Sequence, residues 1–433
     1  MKQWLLSFEL LDSPVLLVCA ILALVGGLLV LLVPPRRLIV TLAVGVAGGG
    51  AMFAVALALS AANTFDGPLP WPAPLWAAAA AAGVAVGAVG VLRRPWWRRL
   101  IGVFTIILAL LAGSLGVNRA YGITHNLAAI LGVQAEADAV LPGQSANPDD
   151  LSTLYQTWTP PADMPSKGTV GALTGSNRIP SGQFAPRDAA LYLPPAALTA
   201  DPPKLPLLVF MMGQPGSPDP TNLAQALDAF AAAHNGLAPI AIVADQLGGR
   251  DKDPACADSQ MYGAVSTYFN DLIPQWASEN LNISADHRYW IIGGYSNGGS
   301  CAVTWAAQHP DVWGQLWDIS GNEFPGSEHV DETVKDVFGG DTAAFNAAKP
   351  AAIMAAAPAG TYDGHTAVFT WGGADTTFGP GQQSNAAAAK AAGFDVVTQS
   401  FDGQGHTGAV LDDGLTAAMA AIAPVVGLAA PAT

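Results

Sequence analysis

Tyr289-Trp290-Ile291-Ile292-Gly293-Gly294-Tyr295-Ser296-Asn297-Gly298-Gly299 opens as a short apolar run of aromatic and β-branched residues, the pattern of a buried strand. It turns through Gly294-Tyr295-Ser296-Asn297-Gly298 into the helical pattern of residues 300–309, which Pro310 closes. A serine two residues from a glycine on either side, between strand and helix, has a physical reason. The turn is strained, and the small flanking residues let strand and helix approach. The hydroxyl then projects beyond the sheet edge at the N-terminus of a helix, where the dipole favours developing negative charge.

Upstream, the chain has a different character. Of its 433 residues, 51% are hydrophobic and only 12% charged, which is unusual for a purely soluble protein. The imbalance comes from four apolar runs, residues 14–33, 38–61, 75–92 and 100–117, none of which contains Asp, Glu, Lys or Arg. Each is near the ~20 residues needed to cross a bilayer. The first is not a cleaved leader, because Glu9 and Asp12 flank it, Lys2 is its sole basic neighbour and no small-residue cleavage site follows. Arg36-Arg37 lie between the first two runs, and Arg93, Arg94, Arg98 and Arg99 between the last two. The loop from Asn63 to Pro74 holds Asp66 and no basic residue. The positive-inside rule therefore predicts both arginine clusters in the cytoplasm, with the N-terminus and everything after Val117 outside. Trp71, Trp76, Trp96 and Trp97 fall at the expected interfaces. No polar residue within the runs suggests a transport path, so anchoring is the expected role.

Charge divides at the same boundary. Residues 1–120 carry eight Lys/Arg and three Asp/Glu, and the remainder ten and thirty, for net charges of +5 and −20. An acidic outer domain argues against nucleic acid and against adhesion to anionic lipid. Residues 123–140 show helical periodicity, and 141–150 are a turn-rich linker. The expected division is a four-span region at 1–120, a helical stalk and linker at 121–156, and an outer domain at 157–433.

Within that domain, strand patterns at 189–193, 207–212, 240–244, 315–320, 367–371 and 395–400 alternate with helical patterns at 222–234, 259–279 and 385–392. Continuous apolar strands alternating with helices predict a mostly parallel sheet covered on both faces. Ligands in such sheets bind beyond the carboxyl ends of the strands, where Ser296 falls.

A nucleophilic serine needs a base, and the base a carboxylate to orient it. His406, in Gly403-Gln404-Gly405-His406-Thr407-Gly408, follows the last strand pattern at the edge that carries Ser296. His309 ends the elbow helix, His329 lies in a polar stretch, and His365 precedes a strand and so belongs to the opposite edge. For the acid, Asp375 follows a strand in Trp371-Gly372-Gly373-Ala374-Asp375, with Asp318 and Glu323 as rivals. The oxyanion hole calls for the N–H of Asn297 and one from the turn Met211-Met212-Gly213-Gln214-Pro215-Gly216, at Gln214.

These residues carry a resemblance. Gly-Tyr-Ser-Asn-Gly-Gly at the elbow, Cys301-Ala302 after it, the Gly-Gln-Gly-His loop, and Tyr268-Phe269-Asn270-Asp271-Leu272-Ile273-Pro274 ahead of the elbow resemble the esterase family of α/β-hydrolases. That family includes esterase D-type enzymes, enterochelin esterases and secreted mycolyltransferases. The likeness covers roughly residue 168 to the C-terminus and not the apolar runs. Met212 stands where many hydrolases have His, and Asn297 where this family often has Met or Glu. The resemblance implies an α/β-hydrolase fold with a mostly parallel sheet, preceded here by an all-α transmembrane module. It also implies a serine esterase or acyltransferase with Ser296, Asp375 and His406 as triad.

Two alternatives stay open: a serine peptidase, and a hydrolase-fold protein that binds without turnover. Of three cysteines, Cys19 lies in the first run as a packing residue, while Cys256 and Cys301 lie in the outer domain. If that domain faces an oxidising compartment, the pair is a candidate disulfide. There is no His/Cys cluster with metal spacing and no phosphate loop, so no metal or cofactor is expected. The expected partners are an ester or lipid-linked small molecule and the membrane itself.

Overall fold

A computed structural model describes residues 3–11, 13–62, 64 and 68–431. Lys2, Asp12, Asn63 and Asp66, used above for the leader and loop arguments, lie outside the described residues. The chain forms two compact units. One comprises Ser7–Ile130 with the loop Gly405–Ala409, and the other Leu131–Gln404 with the chain from Val410 onward and the first few residues.

The helical unit contains Val15–Leu31, Pro35–Ala61, Pro72–Val91 and Trp96–Tyr121. Pro35 and Pro72 open their helices where a missing N–H costs nothing. The last three helices are long and apolar enough to cross a membrane; Val15–Leu31, with 17 residues, is shorter. Small residues bring the backbones together, as in membrane bundles. A β-carbon on Gly113 would stand 2.4 Å from Cβ of Ala80, and one on Gly87 2.7 Å from the carbonyl oxygen of Gly102. Arg93 ties three helices at one end. It donates to the carbonyl of Val30 at 2.9 Å and to Oγ1 of Thr41.

The other unit is built on eight strands: β1 Thr169–Leu173, β2 Ala189–Leu193, β3 Leu207–Met211, β4 Ile240–Ala244, β5 Ile291–Tyr295, β6 Gln315–Ile319, β7 Thr366–Gly372 and β8 Asp395–Phe401. Their spatial order is β1-β2-β4-β3-β5-β6-β7-β8. β1 and β2 run antiparallel, β2 pairs antiparallel with β4, and all later pairs are parallel. This is an α/β fold with helices on both faces, and β5 lies in its interior, between β3 and β6. Every residue of β2 to β6 is buried, which explains why β2 to β5 read as unbroken apolar runs, while β6 buries Gln315 and Asp318 as well.

Two expected helices differ from the structure. In 123–140 only Leu127–Leu131 is helical. Gly132, at φ +69°, ends it, and the chain then runs extended, with Ala139 N–H donating to Ala172 at 2.8 Å on the outer edge of β1. The helix expected from 259 begins only at Val265. Gly263 takes φ +84°, a conformation no helix permits, and lies so close to Gln183 that a β-carbon would stand 2.3 Å from that carbonyl oxygen. The helix widens at Tyr268–Leu272, just ahead of Pro274, whose missing N–H leaves one i to i−4 bond unmade, and continues as Ile273–Asn280. β1 and the C-terminal helix Gly408–Ile422 were not anticipated.

Candidate active site

β5 delivers Ser296 to the turn that its sequence implies. Ser296 has φ +56° and ψ −124°, strained values for a residue with a side chain, and the helix Asn297–Gln308 starts directly after it. The strain is held by neighbours. Ser296 N–H donates to the carbonyl of Ile319 at 2.9 Å, and its own carbonyl accepts from Gly299 at 2.9 Å and Ser300 at 3.1 Å. A β-carbon on Gly294 would lie 2.2 Å from the carbonyl carbon of Gly298, and one on Gly298 would lie 2.4 Å from the carbonyl oxygen of Met211. Both flanking glycines are therefore required by close backbone approach.

The turn after β3 faces the nucleophile. An added β-carbon on Gly213 would stand 3.0 Å from Cβ and 3.4 Å from Oγ of Ser296. The turn is closed by Gly216 N–H donating to Gly213 at 2.9 Å, and the Gln214 side chain reaches the carbonyl of Lys252 at 3.0 Å. The structure thus brings Gly213, beside Gln214, up to the elbow that carries Asn297.

Asn297 is buried, and its side chain is fixed at both ends. Its Oδ1 accepts from Nε2 of Gln246 at 2.9 Å, and its Nδ2 donates to Oδ1 of Asp253 at 3.3 Å. Gln246 was not singled out in the sequence. It follows β4 in Asp245-Gln246-Leu247-Gly248, which has no catalytic signature. The nearby segment carrying Asp253 is pinned to the elbow helix by the disulfide Cys256–Cys301, with Cα atoms 5.3 Å apart. The indole of Trp305 also donates to the carbonyl of Cys256 at 2.9 Å. Ala255 and Cys256 take φ +48° and +56°, so this anchored loop carries strain of its own. Cys19 is a buried free thiol in the helical unit.

Asp375 lies in the turn after β7, 4% exposed, where its Oδ1 accepts from N–H of Thr377 at 3.0 Å and Phe378 at 2.9 Å. Burial, and then the charge of Asp375, push the hydroxyl of Tyr295 well above its ordinary value. The turn that holds Asp375 is laced to the strand that precedes His406. Gly373 N–H donates to Phe401 at 2.7 Å and Ala374 N–H to Gln404 at 2.8 Å. His406 itself lies on the loop Gly405–Ala409, which groups with the helical unit.

The rival carboxylates have other surroundings. Asp318 is fully buried in β6 beneath the elbow, where its Oδ1 accepts from Gly321 N–H at 3.0 Å. Burial raises its carboxyl to about 7, against the pull of contacts with Gln382 and Gly321. Glu323 is exposed and accepts from Oγ of Ser384 at 2.9 Å. Among the other histidines, His309 caps the far end of the elbow helix. His365 precedes β7 and contacts the carbonyl of Pro310 at 2.8 Å, and His329 is exposed in the turn Ser327–His329.

Comparison with known proteins shows the family. The family described as "Putative esterase" matches residues 185–408, a span that runs from just before β2 through Ser296 and Asp375 to His406. The chain belongs to the esterase family. An uncharacterized protein of Corynebacterium glutamicum is 32% identical over 323 residues, covering 71% of this chain and 72% of that protein. Among solved structures, a ferulic acid esterase has a TM-score of 0.48 at 15% identity, covering 60% of this chain and 98% of its own. An S-formylglutathione hydrolase from Agrobacterium tumefaciens has a TM-score of 0.46 at 15% identity, covering 60% and 95%. As a member of the esterase family the chain is a hydrolase by descent. Its elbow holds a serine hydroxyl on a strained turn against Gly213, and the turn after β7 holds a buried carboxylate fixed by backbone N–H groups.

Proposed function

We propose that this chain is a membrane-anchored serine esterase or acyltransferase acting on ester substrates of the cell envelope. One observation carries the reading. Ser296 sits at φ +56° on the turn between β5 and the elbow helix, with Gly213 of the β3 turn against its side chain. That pairing sets a nucleophile beside a loop whose N–H groups can meet an oxyanion.

In this reading Ser296 attacks the ester carbonyl while His406 takes its proton. Asp375 holds the imidazole tautomer and stabilises the imidazolium. N–H groups of Asn297 and Gln214 receive the tetrahedral oxyanion. His406 then protonates the leaving alcohol. The acyl-serine is resolved by water, or by a hydroxyl of an envelope acceptor, which His406 deprotonates in turn. The bond from Ala374 N–H to Gln404, two positions before His406, supports the assignment of base and acid to one edge.

Membrane anchoring is supported by three helices of sufficient length and by the fourth apolar helix. Along them large apolar side chains are exposed, among them Leu24, Ile39, Val46 and Phe104. We read all four as spans, with the arginine clusters inside and the esterase domain outside. Tethering the site at the bilayer would raise the effective concentration of lipid-linked esters. The test uses full-length protein in detergent. A fluorophosphonate should label the wild type and not Ser296→Ala, and hydrolysis of short-chain nitrophenyl esters should disappear with the label. Equal labelling of both proteins would refute the assignment.

A further inference from the structure

Gln246 joins the two loops that supply the oxyanion donors, and nothing in the catalytic roles given above uses it. The residue is 3% exposed. One nitrogen, Nε2, donates to the carbonyl of Met212 at 2.7 Å and to Oδ1 of Asn297 at 2.9 Å. Met212 leads into the Gly213-Gln214 turn, and Asn297 follows the nucleophile. The two protons of one primary amide thus span the two sides of the oxyanion hole.

The amide has a fixed base. The preceding residue, Asp245, accepts from Arg187 through Nε at 3.0 Å and Nη2 at 2.7 Å. It also accepts from the backbone N–H of Arg187 at 2.8 Å, of Leu247 at 3.1 Å and of Gly248 at 3.0 Å. On the far side, Asn297 passes the order on. With its Oδ1 taken by Gln246, its Nδ2 faces Asp253, whose Oδ1 also accepts from Ala255 N–H at 2.9 Å, next to the disulfide.

We propose that Gln246 is a positioning residue for the oxyanion hole, setting the separation of the Asn297 and Gln214 N–H groups. The proposal rests on the serine-esterase reading. Its chemistry is specific: both partners are acceptors, so the bridge needs two donors on one atom. A carboxylate in the same place offers none and adds repulsion, and a methyl leaves both acceptors buried without a partner. Backbone donors only slightly misplaced lose much of their effect on a developing charge, because the stabilisation depends on their preorganisation.

The experiment compares wild type with Gln246→Ala, Gln246→Glu and Asn297→Ala, each normalised to the serine titrated by fluorophosphonate. We expect kcat on nitrophenyl esters to fall about 10- to 100-fold with KM changed less than about threefold. Affinity for an alkyl boronic acid, whose serine adduct is tetrahedral and anionic, should fall in parallel with kcat/KM. The double variant of Gln246→Ala and Asn297→Ala should lose little more than either alone, since both break one bridge. Wild-type kcat in a folded Gln246→Glu would overturn the proposal, as would a loss of kcat/KM that boronate affinity does not follow. If Gln246 variants fail to fold, Asn297→Ala decides by the same two readouts. A wild type that neither labels nor turns over would instead sink the esterase reading itself.

Discussion

Gly213 and Ser296 approach so closely that a β-carbon on the glycine would stand 3.0 Å from Cβ of the serine and 3.4 Å from its Oγ. That gap is tighter than side chains normally tolerate, and the strained serine turn has little freedom to yield. Gly213→Ala is therefore expected to lower kcat/KM on nitrophenyl esters by at least about tenfold, by misplacing the hydroxyl. The melting temperature should change little, since the contact is local. Wild-type turnover in this variant would show that the turn or the serine can give way.

Asp375 and Asp318 should separate cleanly. Asp375→Asn should cost about 10⁴-fold in kcat, by favouring the wrong tautomer of His406. Ser296→Ala and His406→Ala should each be severe, and their double variant little worse, because the triad acts as a unit. Asp318→Asn should keep activity within a few-fold. The roles are wrong if Asp375→Asn is silent while Asp318→Asn is not.

Asp318 instead predicts a pH dependence of stability. Its carboxyl titrates near 3.8 when unfolded and at about 7 when folded, because burial opposes the charge. Between these values the folded state holds the extra proton. Stability should fall as pH rises from about 4 to about 7 and level off above, by on the order of 4 kcal/mol. Protonated, Asp318 has an O–H to offer. Its Oδ2 and the Oε1 of neighbouring Gln382 are both buried without a hydrogen-bond partner. Asp318→Asn mimics the neutral acid and should flatten the slope in urea unfolding across that range. An unchanged slope would mean that the carboxyl ionises freely.

The Cys256–Cys301 bridge closes a loop of 45 residues. In the chain-entropy model it contributes about 4 kcal/mol. Reduction, or Cys256→Ser with Cys301→Ser, should lower the melting temperature by several degrees. It should also reduce activity, because the loop carries Asp253, the partner of Asn297. Free-thiol labelling of both cysteines in native oxidised protein would contradict the bridge.

Orientation can be read on intact cells. Four spans with both arginine clusters inside leave the N-terminus and the esterase domain outside. An external protease should remove the domain, and an N-terminal epitope should be accessible. A protected domain, with permeability controls passing, would reverse the assignment; an accessible domain with a buried epitope would mean three spans.

The elbow was legible in the sequence because its spacing is imposed by sterics that leave no alternative residues at Gly294 and Gly298. The buried parallel strands were legible because both faces are covered, so β3, β4 and β5 are apolar throughout. β1 was not, since Thr169-Val170-Gly171-Ala172-Leu173 carries a glycine made necessary by Ala139, which lies thirty-two positions away in the sequence. The periodicity of 123–140 misled because extended residues such as Ala135 and Ala139 are buried too. Gln246 was invisible for another reason: its role is a tertiary bridge between two loops, and no local pattern marks it.

The two ends of the sheet differ. The outer edge of β1 is occupied by the segment through Asp138, which bridges to Ala172. At the other end, among the described residues, β8 pairs only with β7, and Val397, Thr398, Gln399 and Ser400 are exposed along it. An open strand of this kind is a template for backbone pairing, and proteins commonly guard one with lysine or proline. β8 has neither. Self-association of the concentrated protein by strand addition would thus start at β8, and a lysine in place of Thr398 is the substitution that would suppress it.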